Sequence, residues 1–90
     1  MIKINKDKSR AEAIEDDKII GLCEYKINDG VIDIYHTEVD RAYGGRGIAK
    51  KLLDEVVNLA RNENKKIYPK CSYVAKKFDK DERYKDVDAR

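Results

Sequence analysis

The strand pattern of this chain gives way to a helix pattern at Gly44-Gly45-Arg46-Gly47-Ile48-Ala49-Lys50-Lys51. The stretch holds three of the five glycines of the chain. Backbone N–H groups at a helix N-terminus lack partners within the helix, and glycines let an anion approach them closely. The stretch therefore predicts a site for phosphate groups. A loop whose glycines serve only the turn is the other interpretation, and it stays open at this point.

The positive charges of the stretch favour the anion site. Acidic side chains stabilise the first turn of a helix, yet Arg46, Lys50 and Lys51 stand here. Solvated surface charge is the alternative explanation of these cations. The stretch lacks both the Gly-Lys-Ser or Gly-Lys-Thr ending of a P-loop and the third glycine of the dinucleotide fingerprint. ATP and NAD are therefore poor candidates for the ligand.

Downstream of the glycines, apolar residues recur at steps of three and four from Ile48 to Ala60, which predicts an amphipathic helix of about four turns. Asn62-Glu63-Asn64 ends this helix, and residues 66–68 form a short strand bounded by a proline. Ser72 is the expected N-cap of a last helix that runs through Phe78. The charged tail over residues 79–90 is expected to bury little.

Upstream of the glycines, residues 2–4, 11–15, 19–27 and 31–39 follow the alternation of strands. Asp29-Gly30 predicts a tight hairpin between the last two of them. A strand–helix–strand crossover is right-handed almost without exception. The sequence therefore predicts an α+β domain, an antiparallel meander followed by a crossover helix and a final strand beside the one that ends at Val39.

Length and composition set further limits. Ninety residues are expected to form a single domain over residues 1–90. A net charge of +2 predicts no nucleic-acid partner, and the absence of a long apolar run predicts no membrane segment and a cytoplasmic protein. Cys23 and Cys71 are expected as free thiols, and a lone His36 without a Cys-x-x-Cys pair predicts no metal site.

In these features the chain resembles the GNAT-type N-acetyltransferases, and most closely their minimal single-domain members. Their signature, Arg/Gln-x-x-Gly-x-Gly/Ala opening a helix after the fourth strand, is matched at Gly47 and Ala49, whereas Gly44 stands where Arg or Gln is usual. The small members look similar also in His36-Thr37-x-Val39, Gly44-Gly45-x-Gly47 and Cys71-Ser72. The resemblance spans most of the chain.

The resemblance implies a GNAT-like fold that binds acetyl-CoA where the strands ending near Val39 and Tyr68 splay apart. The strand backbone would pair with the pantetheine arm, the loop amides would hold the pyrophosphate, and the acyl end would lie near Cys71. The implied activity is acetyl transfer to an amine acceptor, a small molecule or a protein, by a monomer or weak dimer. The implied cofactor-binding residues are Thr37, Val39, Gly44, Gly45, Arg46, Gly47, Ile48, Ala49, Lys50, Lys51 and Ser72.

Two residues are candidates for the chemistry. An imidazole exchanges protons near neutral pH, so His36 is a candidate general base, or else a strand residue hydrogen-bonded to a neighbour. The thiol of Cys71 is a candidate acyl acceptor, or else a small packing group. The tyrosine usual in the superfamily is replaced by Phe78, so Tyr73, Tyr84, water or Cys71 would have to return the proton.

The missing tyrosine and the missing helices between the first two strands leave other functions open. One is a CoA or acyl-CoA binding module with little turnover, which could carry an acyl group on Cys71. Another is a structural or interaction domain in which the glycine loop holds no ligand.

Overall fold

A computed structural model describes residues 1–90 as five strands and two α-helices. Two short 3₁₀ helices lie at Arg41–Tyr43 and Glu82–Val87. The α-helices are α1 (Ile48–Asn62) and α2 (Ser72–Lys80). The strands are β1 (Ile2–Asn5), β2 (Arg10–Glu15), β3 (Lys18–Asn28), β4 (Val31–Val39) and β5 (Lys66–Pro69).

The strands form one sheet in the order β1-β2-β3-β4-β5. The first four are antiparallel neighbours, and β5 lies parallel to β4. Asp29 and Gly30 both have positive φ in the β3–β4 turn, as the hairpin prediction requires. This order confirms the predicted meander and the predicted crossover through α1.

The final strand covers only part of its neighbour. β5 pairs with residues 31–34 of β4, and no strand lies beside residues 35–39 on that edge. The pairing ends where the backbone N–H groups of Lys70 and Cys71 both donate to the carbonyl of Ile34, each at 3.0 Å. The predicted splay between the two strands is confirmed.

A single apolar core lies between the sheet and the helices. The buried face of α1 includes Leu52, Leu53 and Val56, none of them exposed to solvent. The helix passes so close to β3 that a Cβ on Gly21 would lie 3.2 Å from Cδ1 of Leu52. Val74 and Phe78 of α2 join the same core. The helices therefore form one layer on one face of the sheet.

Two predictions about the C-terminal part were wrong. Ser72 is the first residue of α2, and Cys71 holds the N-cap position with extended backbone angles. The tail also buries more than predicted, because Tyr84 stacks on Phe78 with ring centroids 5.2 Å apart and Val87 is 2 % exposed. Neither α-helix has the length and apolar character needed to span a bilayer.

Candidate functional site

The glycine loop presents a row of unpaired backbone donors. The N–H groups of residues 45–50 make no hydrogen bond within the chain, and the first bond of α1 runs from Lys51 N to Gly47 O. Gly47 is the N-cap, has no side chain to bond these groups, and is followed by no acidic residue in the first turn. Unpaired N–H groups and the helix dipole together attract an anion. These N–H groups are the donors that the predicted phosphate site requires.

Backbone conformation explains the glycines of this loop. Gly45 and Gly47 have φ angles of +80° and +71°, values at which a side chain is strained. A Cβ built on either residue would meet no atom within 4 Å, so the surrounding space is open. The glycines serve the turn, and the same turn exposes the N–H groups, so the conformation of the loop is compatible with either interpretation of the sequence.

The three cations of the loop differ in their partners. Arg46 lies over the ring of Tyr43 and pairs with Glu15 across the surface, with Nη1 3.1 Å from a carboxylate oxygen. The ammonium of Lys50 bonds Asp54 one turn along the helix at 2.8 Å. Lys51 is exposed and pairs with no carboxylate. Lys51 is thus the one of the three cations without a carboxylate partner, and Arg46 is the one that lies in the loop itself.

The open edge of β4 offers a second set of backbone groups. Backbone hydrogen bonds of an antiparallel pair alternate along each strand. The N–H of Asp40 donates to β3 at 2.7 Å, so Glu38 and His36, two and four residues earlier, also direct their backbone groups to β3. The groups that point to the edge without a strand are those of Thr37 and Val39.

A thiol lies at the end of this open edge. Cys71 is half-buried at the start of α2, and its Sγ is 3.7 Å from Oγ1 of Thr37. The hydroxyl of Thr37 in turn donates to Sγ of Cys23 at 3.6 Å. Cys23 is fully buried, and burial raises the pKa of its thiol to about 11. Of the two predicted free thiols, only Cys71 reaches the cleft.

His36 lies on the opposite face of the sheet. It stands across from Glu24, whereas its neighbour Thr37 stands across from the buried Cys23, and successive side chains alternate between faces. Its Nε2 is 2.7 Å from Oε1 of Glu38. The two predicted catalytic residues therefore flank the β4 edge from opposite faces. The sequence reasoning missed Glu38, although the two-residue spacing from His36 was the available signal.

Of the two tyrosines expected as proton donors, Tyr84 is engaged by Asp54 and Tyr73 packs against the core. Tyr84 is buried, and its hydroxyl donates to Asp54 at 2.5 Å on the outer side of α1. Burial, followed by this hydrogen bond, raises the pKa of Tyr84 far above its ordinary value. Tyr73 packs half-buried against the core, and burial raises its pKa also. Phe78, at the position of the usual tyrosine, is buried in the core.

Comparison with known proteins gives matches along most of the chain. A family model described as GCN5-related N-acetyl-transferase matches residues 10–87. Over 60 residues, 67 % of this chain, the sequence is 38 % identical to Protein NATD1 of Gallus gallus and of Homo sapiens. The chain spans about half the length of these relatives, 54 % and 52 % respectively.

Solved structures share the architecture. A GCN5-like protein of Staphylococcus aureus, determined by NMR, superposes with a TM-score of 0.77 and 31 % identity over 97 % of this chain and 85 % of that one. The ribosomal-protein-alanine N-acetyltransferase of Brucella melitensis biovar Abortus 2308 gives a TM-score of 0.64 over 90 % of this chain and 61 % of that one. At 20 % identity, the second likeness concerns the fold alone.

Proposed function

Since the chain belongs to the GCN5-related N-acetyltransferase family, we propose that it transfers the acetyl group of acetyl-CoA to the nitrogen of an amine acceptor. The family is one of acyltransferases that generally use acetyl-CoA. The observation that carries the proposal for this chain is the row of unpaired N–H groups over residues 45–50 beside the open edge of β4.

The donors fit the chemistry of CoA. A pyrophosphate is an anion with several acceptor oxygens, and the loop offers six N–H groups with Arg46 and Lys51 beside them. The pantetheine arm contains amides, which suit the backbone groups of Thr37 and Val39 because an amide both donates and accepts. Lys50 and Ser72 are weaker candidates, since Lys50 is held by Asp54 and Ser72 begins α2 as an exposed residue.

Bound acetyl-CoA supplies an acyl group activated as a thioester. An acceptor ammonium must lose a proton before its nitrogen can attack, and His36 is the imidazole at the edge of the cleft. The side chain of Cys71 lies on the other face, so the acceptor would come from the face of His36 and the thiol would contact the acyl end.

A second candidate function rests on the tyrosines. Neither Phe78 nor the engaged Tyr84 can return a proton to a departing thiolate. A chain without that step would bind CoA and turn over slowly, and Cys71 could then hold an acyl group. The thiol would gain the acyl carbon, and its own proton would pass to the CoA thiolate.

Mass spectrometry with acetyl-CoA tests these functions. A native spectrum should show a noncovalent adduct with the wild-type chain, and its absence at millimolar cofactor would contradict both of them. A denaturing spectrum of the same sample then looks for one added acetyl group. Acetyl on Cys71 that disappears in Cys71→Ala supports the second function. An adduct without acylation, with free CoA released on addition of a primary amine, supports the first.

A further inference from the structure

His36 makes a short hydrogen bond with the side chain two residues later. Nε2 of His36 and Oε1 of Glu38 are 2.7 Å apart, the length of a charge-assisted bond. Both side chains lie on the sheet face away from the helices, and 47 % of the His36 side chain and 63 % of the Glu38 side chain are exposed. The bond is therefore made at the surface, next to the open half of β4.

The direction of this bond follows from the chemistry of the partners. A carboxylate accepts hydrogen bonds and has no proton to donate, so Nε2 of His36 must carry the proton. In a neutral imidazole the other nitrogen, Nδ1, then holds the free lone pair. The bond also fixes the rotation of the ring, because it ties one ring atom to a side chain on the same strand.

We propose that Glu38 is a positioning residue for His36. Its carboxylate accepts a hydrogen bond from Nε2–H and so leaves Nδ1 free to take the proton of the acceptor amine. This inference rests on the proposed function, since it assigns the proton transfer to that reaction. The amine nitrogen loses one proton to Nδ1, the imidazolium is stabilised by the Glu38 carboxylate, and solvent removes the proton afterwards.

Glu24 provides a matched control on the same face. It stands across from His36 in the β3–β4 register but makes no hydrogen bond with it. Glu24→Gln removes one negative charge beside the imidazole and leaves the bond intact. Glu38→Ala also removes one negative charge, but it removes the hydrogen bond to His36 as well. Glu38→Gln keeps an acceptor oxygen within reach of Nε2.

Long-range ¹H–¹⁵N spectra of the imidazole measure the tautomer directly, and the signals are unambiguous because the chain has one histidine. At a pH at which the imidazole is uncharged, the wild type should show the nitrogen chemical shifts of a pure Nε2–H tautomer. Glu38→Ala should give shifts averaged between two tautomers, Glu24→Gln should match the wild type, and Glu38→Gln should recover part of the wild-type signal. Wild-type shifts equal to those of Glu38→Ala would overturn the proposal.

Kinetics with acetyl-CoA and methylamine as probe give the second readout. Release of free CoA should slow by about tenfold to a hundredfold in Glu38→Ala, the size expected for impaired base catalysis, with KM for acetyl-CoA unchanged. An equal loss in Glu24→Gln, or an unchanged kcat in Glu38→Ala, would contradict the role. Affinity for CoA is measured on every variant and should stay at the wild-type value. A wild type that binds no CoA would contradict the proposed function, whereas the tautomer spectra decide the position of His36 by themselves.

Discussion

The two ends of α1 are built in opposite ways. The N-terminal end has a glycine N-cap at positive φ, no capping side chain and no acidic residue in its first turn. The C-terminal end is tied down, because Arg61 bonds the carboxylate of Asp86 at 2.9 Å and the carbonyl of Arg83 at 2.7 Å. There the chain also turns back through Asn64 in the left-handed region, with Lys65 N donating to Ala60 O at 2.8 Å.

We expect this difference to separate the residues that stabilise the fold from those that bind the ligand along one helix. Helix ends are ordinarily stabilised by caps that satisfy the free backbone groups, and each cap contributes about 1 kcal/mol. The C-terminal end follows this rule and the N-terminal end departs from it, in the stretch that marks the family resemblance. Backbone N–H groups that stay unpaired at one end of a helix are expected where a ligand accepts hydrogen bonds from them. Substitutions at the two ends should therefore change different measured quantities.

Gly47→Asp should give the largest effect, a fall in CoA affinity of at least about a hundredfold, since hydrogen bonds to a charged group contribute roughly 1.5–3 kcal/mol each. The new carboxylate would repel the pyrophosphate and cap the N–H groups that should bind it. Isothermal titration with CoA measures the effect. Unchanged affinity would remove the loop from the site and break the contrast between the two ends.

Gly30→Asp is the matched control for backbone strain. Gly30 has a φ of +78° and open space around its Cα, much as Gly47 does, but it lies in the β3–β4 turn. Both variants carry the same kind of backbone strain, and Gly30→Asp should bind CoA as the wild type does. A loss of CoA binding in both variants would show that general destabilisation, and not the change in the glycine loop, lowers the affinity.

Arg46→Ala should give the next largest effect, a loss of CoA affinity of about tenfold. The guanidinium is held over Tyr43 by a surface pair with Glu15, from which a phosphate could draw it. Lys50→Ala is the comparison, because Lys50 lies in α1 beyond the loop and its ammonium bonds Asp54 at 2.8 Å, a shorter distance than the 3.1 Å of the Arg46–Glu15 pair. We expect that variant to bind CoA within about twofold of the wild type. Equal losses of CoA affinity in the two variants would show that the overall charge of the protein, and not the position of the cation, decides the affinity.

Tyr84→Phe should change stability alone. It removes a hydrogen bond from a buried hydroxyl to Asp54 in the middle of α1, which costs about 1 kcal/mol. In a domain of this size the melting temperature should fall by roughly 4–8 °C. Tyr68→Phe, at a 43 % exposed position, should leave the melting temperature unchanged. A change of CoA affinity in Tyr84→Phe would show that the docking of the tail on α1 is coupled to the glycine loop.

The sequence predicted the fold well where a hydrophobic period was present. The first four strands and α1 follow from alternation or from three- and four-residue steps, and β4 and the start of α1 fall where the pattern placed them. The tail was the exception. Tyr84 and Val87 stand among charges in a 3₁₀ segment with no period of its own, and their burial depends on contact with α1 and α2. Such docking is set by the tertiary structure.

For the candidate site, the sequence predicted backbone features better than side-chain geometry. Glycine spacing before a helix predicted the unpaired N–H groups, because φ and the helix start are local properties. The Glu38 partner of His36 and the Asp54 partner of Lys50 stand at local spacings that allow a pair, two residues on a strand and four on a helix, but the rotamers decide whether the bond forms. The roles of His36 and Cys71 stay predictions for the variants above to decide.

Glu63→Gln should give the smallest effect, confined to acid pH. Glu63 follows α1 and lies 3.1 Å from the ammonium groups of both Lys65 and Lys6. The bond from Lys65, and then that from Lys6, hold the pKa of Glu63 below its ordinary value. A lowered pKa adds stability that is present above the ordinary pKa of glutamate, near ~4.3, and is lost as the pH falls through the lower value. The free energy of unfolding of the wild type should therefore fall more steeply between about pH 5 and 3 than that of the variant. Urea denaturation across this range measures it, with Glu55→Gln, an unpaired carboxylate on the same helix, as control. Parallel curves for the wild type and Glu63→Gln would show that these ion pairs do not stabilise the C-terminal end, and the contrast between the two ends would then rest on Arg61.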